Sequence, residues 1–309
     1  QVTPAAAVAL EFTTQPAGSV SGFALTTQPV VRAKDAFGNT DTNFAGTVTL
    51  TEASAGSLSN NTAVAVSGVA TFSGLAYTAT ADNQAFVLTA SSGGLTVGTS
   101  DSVTSNVVAT KLIVTLASPT VTAGVGTNLT LQAVNAQDLV DVDYLSAGKT
   151  YTFSETLGAI LSTHTSPNGS APVLPSNADV VGAFTNGVSS AINFTLKKAE
   201  ILAGIVASDG TLSGTSATLT INPSSTNNLG LSVNPASPQA NTSFNLTVTA
   251  RDIFNNTTPS YAGTVVFSFV SGAPNTTGLP NNQTFVVGDA GVRVLPITLG
   301  SSQVGVHIR

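Results

Sequence analysis

The stretch Ala33-Lys34-Asp35-Ala36-Phe37-Gly38-Asn39-Thr40 decides the fold, because it returns near the other end of the chain as Ala250-Arg251-Asp252-Ile253-Phe254-Asn255-Asn256-Thr257. Ten residues after Lys34 comes Phe44-Ala45-Gly46-Thr47-Val48, which returns at the same spacing as Tyr261-Ala262-Gly263-Thr264-Val265. Two anchors in one register indicate one structural unit that is used more than once. Repeated units usually serve length or display, since a catalytic pocket needs to be built only once. The sequence therefore predicts an architectural protein.

A diverged third copy lies between the two matched ones. Ala133-Val134-Asn135-Ala136-Gln137 takes the place of Ala33 to Phe37, and Ala147-Gly148 takes the place of Ala45-Gly46. Each copy also contains a triplet that opens an apolar, Ser/Thr-rich segment: Ser67-Gly68-Val69, Asn186-Gly187-Val188 and Ala290-Gly291-Val292. We predict three domains of ordinary size over residues 1–107, 108–224 and 225–309. They are called units 1, 2 and 3 below, and unit 3 is expected to lack its last strand.

Each unit is rich in β-strand patterns. Leu129, Leu131 and Ala133 alternate with polar residues, as do Phe244 and Leu246. This period of two is typical of a sheet with one packed face and one wet face. Helix patterns are nearly absent, and 28 Gly and 14 Pro interrupt the chain. We predict an all-β protein of three tandem immunoglobulin-like antiparallel β-sandwich domains, unit 2 having a long insertion.

Composition indicates the compartment and excludes some partners. The chain has no Cys, and charged residues are only 8%, against roughly 25% in an ordinary soluble domain. Ser, Thr and Asn fill the wet faces instead, which is typical of exported surface proteins, and a start at Gln1 suggests a removed signal peptide. The alternative is that Gln1 only marks the boundary of a chosen fragment. The net charge is −6 with nine Lys and Arg, so nucleic-acid binding is not expected, and no apolar run reaches the ~18 residues of a membrane span.

The repeated Asp35 and Asp252 are expected to have a structural role. A carboxylate at a strand end can accept hydrogen bonds from N–H groups of the following turn, where Gly38 or Asn255 takes a positive φ. Phe37 and Phe254 are expected to plug the ends of their sandwiches. Unit 2 has Asn135 in place of the aspartate, and asparagine supports the same turn, whereas a metal site would lose a ligand.

A second acidic group is the candidate metal site of the chain. It consists of Asp138, Asp141 and Asp143, whose carboxylate oxygens could bind Ca²⁺. The segment lacks the glycine and the terminal glutamate of an EF-hand loop. A solvated loop is the alternative interpretation, and no other cofactor is predicted.

Catalytic residues are not evident. His164 and His307 are the only histidines, and the chain has no cysteine nucleophile, no Gly-x-Ser-x-Gly elbow and no phosphate loop. We therefore predict that the protein is not an enzyme. Sugar recognition is the more serious rival, but aromatic platforms usually need Trp or Tyr, and the chain has no Trp and four Tyr. The long segment 155–187 of unit 2 is the best candidate for a contact surface, with a tolerated insertion as the alternative.

Asn-x-Ser/Thr sequons are frequent, and many arise from composition alone. Asn193 and Asn245 lie in strand-like runs and are weaker candidates. The glycosylation candidates are Asn60, Asn128, Asn168, Asn241, Asn255, Asn256, Asn275 and Asn282.

The motif Val-x-Ala-x-Asp-x-Phe-x-Asn-Thr, followed by Tyr/Phe-Ala-Gly-Thr-Val and by Asp289-Ala290-Gly291-Val292, resembles a known group of proteins. It is similar to the bacterial and archaeal immunoglobulin-like repeats of large surface proteins and adhesins, akin to invasin-type and filamin-type repeats. The match is good in units 1 and 3 and weak in unit 2. The resemblance implies a secreted or cell-surface location and a structural role in a filament, sheath, S-layer or adhesin stalk. Its partners would be copies of itself or other surface proteins, with a glycan-binding or host-binding adhesin module as the alternative.

Strand addition is the assembly that the ends of the chain suggest. A sandwich without an edge strand leaves N–H and C=O groups unpaired. Residues 1–8 precede the first strand pattern and could supply the missing strand to unit 3 of another copy. Truncation of a longer repeat protein explains the same absence.

Overall fold

The computed structural model describes residues 3–271, 278–300 and 307–308. Unit 1 consists of short strands joined by turns, and its sheets have the orders β1-β3-β7, β11-β10-β4-β6, β2-β12-β9 and β5-β8. The strands are β1 (Ala9–Thr14), β2 (Ser19–Val20), β3 (Val30–Lys34), β4 (Thr47–Thr51), β5 (Ser57–Ser59), β6 (Thr62–Val64), β7 (Val69–Thr71), β8 (Ala76–Thr78), β9 (Gln84–Phe86), β10 (Thr89–Ser91), β11 (Gly98–Thr99) and β12 (Val103–Asn106).

Unit 2 has the same kind of first sheet, β13-β15-β18-β17 with β19 also paired to β15, and two further sheets, β14-β23-β20 and β16-β21-β22. A 3₁₀ helix covers Leu161–Thr163 and an α-helix, α1, covers Asn177–Ala183. The strands are β13 (Lys111–Leu116), β14 (Thr120–Thr122), β15 (Gly126–Val134), β16 (Thr152–Glu155), β17 (Phe184–Thr185), β18 (Val188–Ser189), β19 (Ile192–Thr195), β20 (Glu200–Leu202), β21 (Ile205–Ser208), β22 (Ser213–Thr215) and β23 (Leu219–Asn222).

Unit 3 repeats the first sheet as β24-β25-β29 and adds the pairs β26-β28 and β27-β30. A 3₁₀ helix covers Val287–Asp289. The strands are β24 (Asn228–Asn234), β25 (Phe244–Arg251), β26 (Thr264–Val265), β27 (Phe269–Ser271), β28 (Gln283–Thr284), β29 (Val292–Ile297) and β30 (His307–Ile308).

The core is divided into three clusters that follow the three repeats. In unit 1, Val31 of β3 and Leu50 of β4 are fully buried although they belong to different sheets, so the core lies between packed sheets. The predicted alternation is also present, because Leu129, Leu131 and Ala133 are buried on one face of β15. The all-β, immunoglobulin-like sandwich prediction is confirmed, while the boundaries at residues 107 and 224 stay predictions.

Among the described residues, two strand pairs run parallel rather than antiparallel, and an isolated parallel bridge joins Ala9 and Thr96. β2 pairs parallel with β12 in unit 1, and β14 pairs parallel with β23 in unit 2. In both units the chain breaks after its first strand, at Pro16 and Gly18 (φ 66°) in unit 1 and at Pro119 in unit 2. The broken strand leaves the first sheet and joins the second one beside the last strand of the unit, which runs in the same direction.

The Gly triplets predicted from the sequence are tight turns. Each approaches a backbone carbonyl at the same position of its repeat. Ser67-Gly68, Asn186-Gly187 and Ala290-Gly291 have positive φ at both residues. A Cβ on Gly68 would collide with the carbonyl of Asp41, and one on Gly187 would collide with that of Asp141. Glycine is required here both by backbone conformation and by close approach.

The strand-addition prediction concerns segments that the structure describes only in part. The N–H of Ala7 donates to Asp41 Oδ2 at 2.9 Å and the N–H of Val8 donates to Lys34 O at 2.8 Å. Residues 5–8 are therefore bound to unit 1 of the same chain. The expected open edge of unit 3 falls mostly on residues 301–306 and 309, which lie outside the described residues.

Candidate functional site at the junctions between units

The turn after Asp35 is built by one carboxylate oxygen. Asp35 Oδ1 accepts the N–H groups of Phe37 and Asn39, both at 2.9 Å. Gly38 has a φ of 85°. Burial by itself would raise the pKa of Asp35, but the hydrogen bonds from Asn39, Ala5 and Phe37 hold it below its usual value. The predicted turn role of this aspartate is confirmed.

Units 2 and 3 build the same turn. Asp252 Oδ1 accepts the N–H groups of Phe254 at 2.8 Å and Asn256 at 2.9 Å. Asn135 Oδ1 accepts the corresponding N–H groups of Gln137 and Leu139 at 3.0 Å. An amide oxygen thus replaces the carboxylate without changing the turn.

The second carboxylate oxygen holds the segment that enters the unit. Asp35 Oδ2 accepts the N–H of Ala5 at 3.1 Å, and Asp252 Oδ2 accepts the N–H of Ser224 at 3.0 Å. In unit 2 the entering segment is held by Asp141, whose Oδ2 accepts the N–H of Ala109 at 2.8 Å. Asp35, Asp141 and Asp252 thus bind the segments that enter units 1, 2 and 3.

The prediction that Phe37 and Phe254 plug their own sandwiches is wrong. Phe37 is 85% exposed. Phe254 packs against the core of unit 2, where its ring lies so close to Gly124 that a Cβ on this glycine would collide with it. Neither ring belongs to the core cluster of its own unit.

The junction of units 2 and 3 is completed by asparagine hydrogen bonds. Asn168 donates from Nδ2 to Ile253 O at 2.9 Å. Asn256 accepts the N–H of Ala199 at 2.9 Å and donates from Nδ2 to Lys197 O at 2.8 Å. The turn of unit 3 is therefore attached to two loops of unit 2.

The junction of units 1 and 2 centres on a residue that the sequence did not single out. Asp82, in the turn between β8 and β9, accepts the N–H of Val107 at 2.6 Å and that of Val142 at 2.8 Å. Three carboxylate oxygens lie within 4.8 Å of one another, one each from Asp82, Asp141 and Asp143. Unit 1 contributes one member of this carboxylate cluster, and unit 2 contributes two.

The structure places only two of the three predicted metal ligands in the cluster. Asp138 forms an ion pair with Lys111 at 2.6 Å and has a φ of 63° in the turn after Asn135. Its place is taken by Asp82, which is distant in sequence. Asp82 could be found from sequence only by knowing that the β8–β9 turn faces unit 2.

Asp141 is the unusual member of the cluster. It is 7% exposed, and its Oδ1 has no hydrogen-bond partner. Burial, with the nearby charges of Asp143 and Asp82, raises the pKa of Asp141 to about 6, although the N–H of Ala109 lowers it.

The long segment 155–187, predicted as a contact surface, is attached to its own unit at both helices. His164 is buried, and its Nδ1 lies 2.8 Å from Glu200 Oε1. At α1, Val180 is fully buried in the core of unit 2, and Ser176 and Asp179 form a capping box at the start of the helix. The Ser-x-x-Asp spacing is the signal from which α1 could have been found. The contact-surface role stays a prediction.

The tyrosines serve the packing of the units. Tyr77 is fully buried and Tyr151 is 7% exposed. The hydroxyl of Tyr144 donates to Asp209 Oδ2 at 2.6 Å, and Tyr261 packs edge-on against Phe285. Tyr144 and Tyr261 are half-buried, so none of the four tyrosines is fully exposed as a platform for a sugar ring.

The sequons differ in exposure. Asn60, Asn168, Asn241 and Asn282 are exposed, and Asn128 and Asn255 are half-buried. Asn256 is 3% exposed and hydrogen-bonded, so the structure argues against a glycan there. Asn275 lies outside the described residues.

No family model and no curated protein matches the chain. Solved structures that it resembles include FdeC, a broadly conserved Escherichia coli adhesin, at 18% identity and a TM-score of 0.37 over 98% of this chain and 92% of that one. Invasin, a bacterial integrin-binding protein, matches at 13% identity and a TM-score of 0.32 over 95% of this chain and 55% of that one. Surface layer protein SbsC, domains 4–9, matches at 12% identity and a TM-score of 0.27, over 98% and 47%. Invasin-type repeats are the group that the sequence resembles. At such low identities and TM-scores, the similarity supports no inference about partners or activity.

Within the described part of the chain, no helix has the length and apolar character needed to cross a membrane.

Proposed function

We propose that this chain is a structural segment of a secreted or cell-surface protein, in which immunoglobulin-like units are joined into a stalk. Such a segment would serve in a filament, sheath, S-layer or adhesin, and its partners would be copies of itself or other surface proteins. The role is mechanical rather than catalytic.

The observation that carries the proposal is that units 2 and 3 use the same end to contact the preceding unit. Val142 of unit 2 donates to Asp82 of unit 1, and Phe254 of unit 3 packs on Gly124 of unit 2. Both contacts come from the segment that begins at the Asp35-type turn, and both reach the preceding unit. A unit that docks the same end on each predecessor forms a directional array.

Composition supports an extracellular location. Charged residues make up 8% of the chain and cysteine is absent. Buried carboxylates and backbone N–H groups, rather than disulfides, hold the entering segments.

The alternative function is a glycan-binding or host-binding adhesin module. The feature that favours it is a shallow groove of about 510 Å³ beside α1, lined by Ala178, Asp179, Gly182, Ser190 and Asn193. The groove offers polar groups but no aromatic ring, so the stalk is the better supported function.

Electron microscopy with antibodies against the chain tests the proposal. We expect labelling on the outside of intact cells, on regular assemblies or on projecting stalks. Labelling confined to the cell interior would overturn the proposal. Saturable binding of a monomer to a glycan array would favour the adhesin module instead.

Deletion of residues 1–8 tests strand addition as the mode of polymerisation. Loss of polymers from a protein whose unit 1 stays folded would support it. Polymers that survive the deletion would exclude it. The matched control is the Asp35→Asn variant, which retains the whole segment but changes one of the two carboxylates that hold it.

A further inference from the structure

The carboxylate cluster differs from the matching place in unit 1 in the hydrogen bonding of its buried aspartate. Asp41 of unit 1 occupies the same place as Asp141, because both donate an N–H to the matching alanine carbonyl, Ala33 O or Ala133 O, at 3.0 Å. Both of the Asp41 oxygens have partners: Ala7 N at 2.9 Å and Asn43 N at 3.0 Å. In unit 2, Oδ2 keeps its linker partner, and Oδ1 has none.

The residue two positions after Asp41 or Asp141 accounts for the difference in charge between the two units. Unit 1 has Asn43 there, whereas unit 2 has Asp143 and unit 3 has Ser260. A second negative charge is thus present only in the unit that also approaches Asp82. In the described part of the chain, two buried side-chain atoms lack a hydrogen-bond partner: Asp141 Oδ1, in the cluster, and Asn106 Oδ1, at the end of β12.

Of the three carboxylates, Asp141 is buried, Asp82 is half-buried and Asp143 is exposed, so the lack of a counter-charge bears mainly on Asp141. Among the described residues no Lys or Arg pairs with any of them, and the two lysines of this region, Lys111 and Lys149, pair with Asp138 and Asp209. An uncompensated buried carboxylate is costly, so a shared proton or a bound cation would stabilise Asp141.

We propose that Asp82, Asp141 and Asp143 bind a Ca²⁺ ion that links unit 1 to unit 2. Each carboxylate oxygen has two lone pairs, so the backbone N–H bonds to Asp82 and Asp141 leave acceptor capacity for a cation. Calcium takes six to eight oxygen ligands in flexible geometry, which suits a set drawn from two units and completed by water or carbonyls. Since the ion bridges two units, its binding reinforces their junction. The inference is independent of whether the chain serves as a stalk or as a binding module.

Calcium titration of the full chain, freed of metal by chelation, tests the proposal. The readouts are equilibrium dialysis for binding and hydrogen exchange at Val107 and Val142, whose N–H groups bind Asp82. We expect one saturable site with a Kd of about 10⁻⁴ to 10⁻³ M, as in extracellular calcium modules. Exchange at both amides should slow with the same midpoint.

Asp143→Asn is the decisive variant, because unit 1 folds with Asn43 at that place. We expect it to bind at least tenfold more weakly. Asp138→Asn is the matched control: it removes a charge from the same segment outside the cluster and should bind like the wild type. Asp82→Asn should also weaken binding, which would show that the site spans both units.

Three results would overturn the proposal. The first is no saturable binding by the wild type up to about 10 mM Ca²⁺, well above the range of extracellular sites, in which case a shared proton balances the cluster. The second is equal binding by Asp143→Asn and the wild type. The third is a response to Mg²⁺ as large as that to Ca²⁺, since Mg²⁺ demands a stricter octahedral site.

Discussion

Asp252 Oδ2 accepts a hydrogen bond from the N–H of Ser224 at 3.0 Å across 28 positions of sequence. The same side chain builds the turn that contacts unit 2, through Oδ1 and the N–H groups of Phe254 and Asn256. One fully buried carboxylate therefore holds both the segment that enters unit 3 and the turn that docks it.

Replacing Asp252 should be costly in proportion to the hydrogen bonds lost. Asp252→Ala strands the buried N–H groups of Phe254 and Asn256, and we expect it to destabilise unit 3 by about 3 kcal/mol. Asp252→Asn should cost less, about 2 kcal/mol, because it can keep the turn and loses only the bonds that Oδ2 accepts from Ser224 N–H and Asn256 Nδ2. Hydrogen exchange of β25 measures the effect locally, since a three-unit chain need not unfold in one step. Equal losses for the two variants would contradict this assignment.

Gly187 should tolerate alanine less well than Gly148 of the same unit. Both have positive φ, at 74° and 80°, so alanine carries a conformational cost of about 1 kcal/mol at either position. A Cβ on Gly148 meets open space, whereas one on Gly187 collides with Asp141 O. We expect Gly187→Ala to cost at least about 3 kcal/mol in urea unfolding of unit 2. Similar stabilities for the two variants would show that the close contact relaxes.

Acid stability of unit 2 should depend on Tyr144. Burial alone would raise the pKa of Asp209, but hydrogen bonds from Tyr144, Leu212 and Thr211, with the charge of Lys149, hold it below its usual value. Because the folded pKa is lower than the unfolded one, this carboxylate stabilises unit 2 above about pH 4, and the stabilisation is lost as pH falls through the folded pKa. Tyr144→Phe should therefore move acid unfolding to higher pH in circular dichroism. Tyr261→Phe, in unit 3, is the control, and an equal shift for both would refute the role of Tyr144.

Glycan occupancy should follow exposure. We expect any modification at exposed sequons such as Asn60, Asn241 or Asn282, and none at Asn256, whose amide nitrogen donates to Lys197 O and Asp252 Oδ2. Peptide mass spectrometry of the natural protein checks this. A glycan on Asn256 would mean that the junction of units 2 and 3 opens before modification.

The turns and strand faces could be predicted from sequence because they are local. A carboxylate two residues before a turn N–H specifies the Asp35 turn, and alternation specifies the buried face of β15. The unit junctions could not be predicted in this way. Asp82 and Asp141 meet only when two units dock, and neither the repeat pattern nor composition encodes that contact.

Phe254 and Phe37 provide a matched test of docking, because they occupy the same place in their repeats and differ only in what covers them. The ring of Phe254 lies over Gly124 of unit 2, whereas Phe37 is 85% exposed. Phe254→Ala should remove about 2 kcal/mol from the junction of units 2 and 3, less than a fully buried ring because this one is half-buried. Exchange should become faster at the N–H of Ala199, which donates to Asn256 of unit 3. Phe37→Ala should leave the stability of unit 1 within about 0.5 kcal/mol, as expected for an exposed side chain. A loss of unit 1 stability in Phe37→Ala, or unchanged exchange at Ala199 in Phe254→Ala, would show that this aromatic position is not the docking element of the repeat.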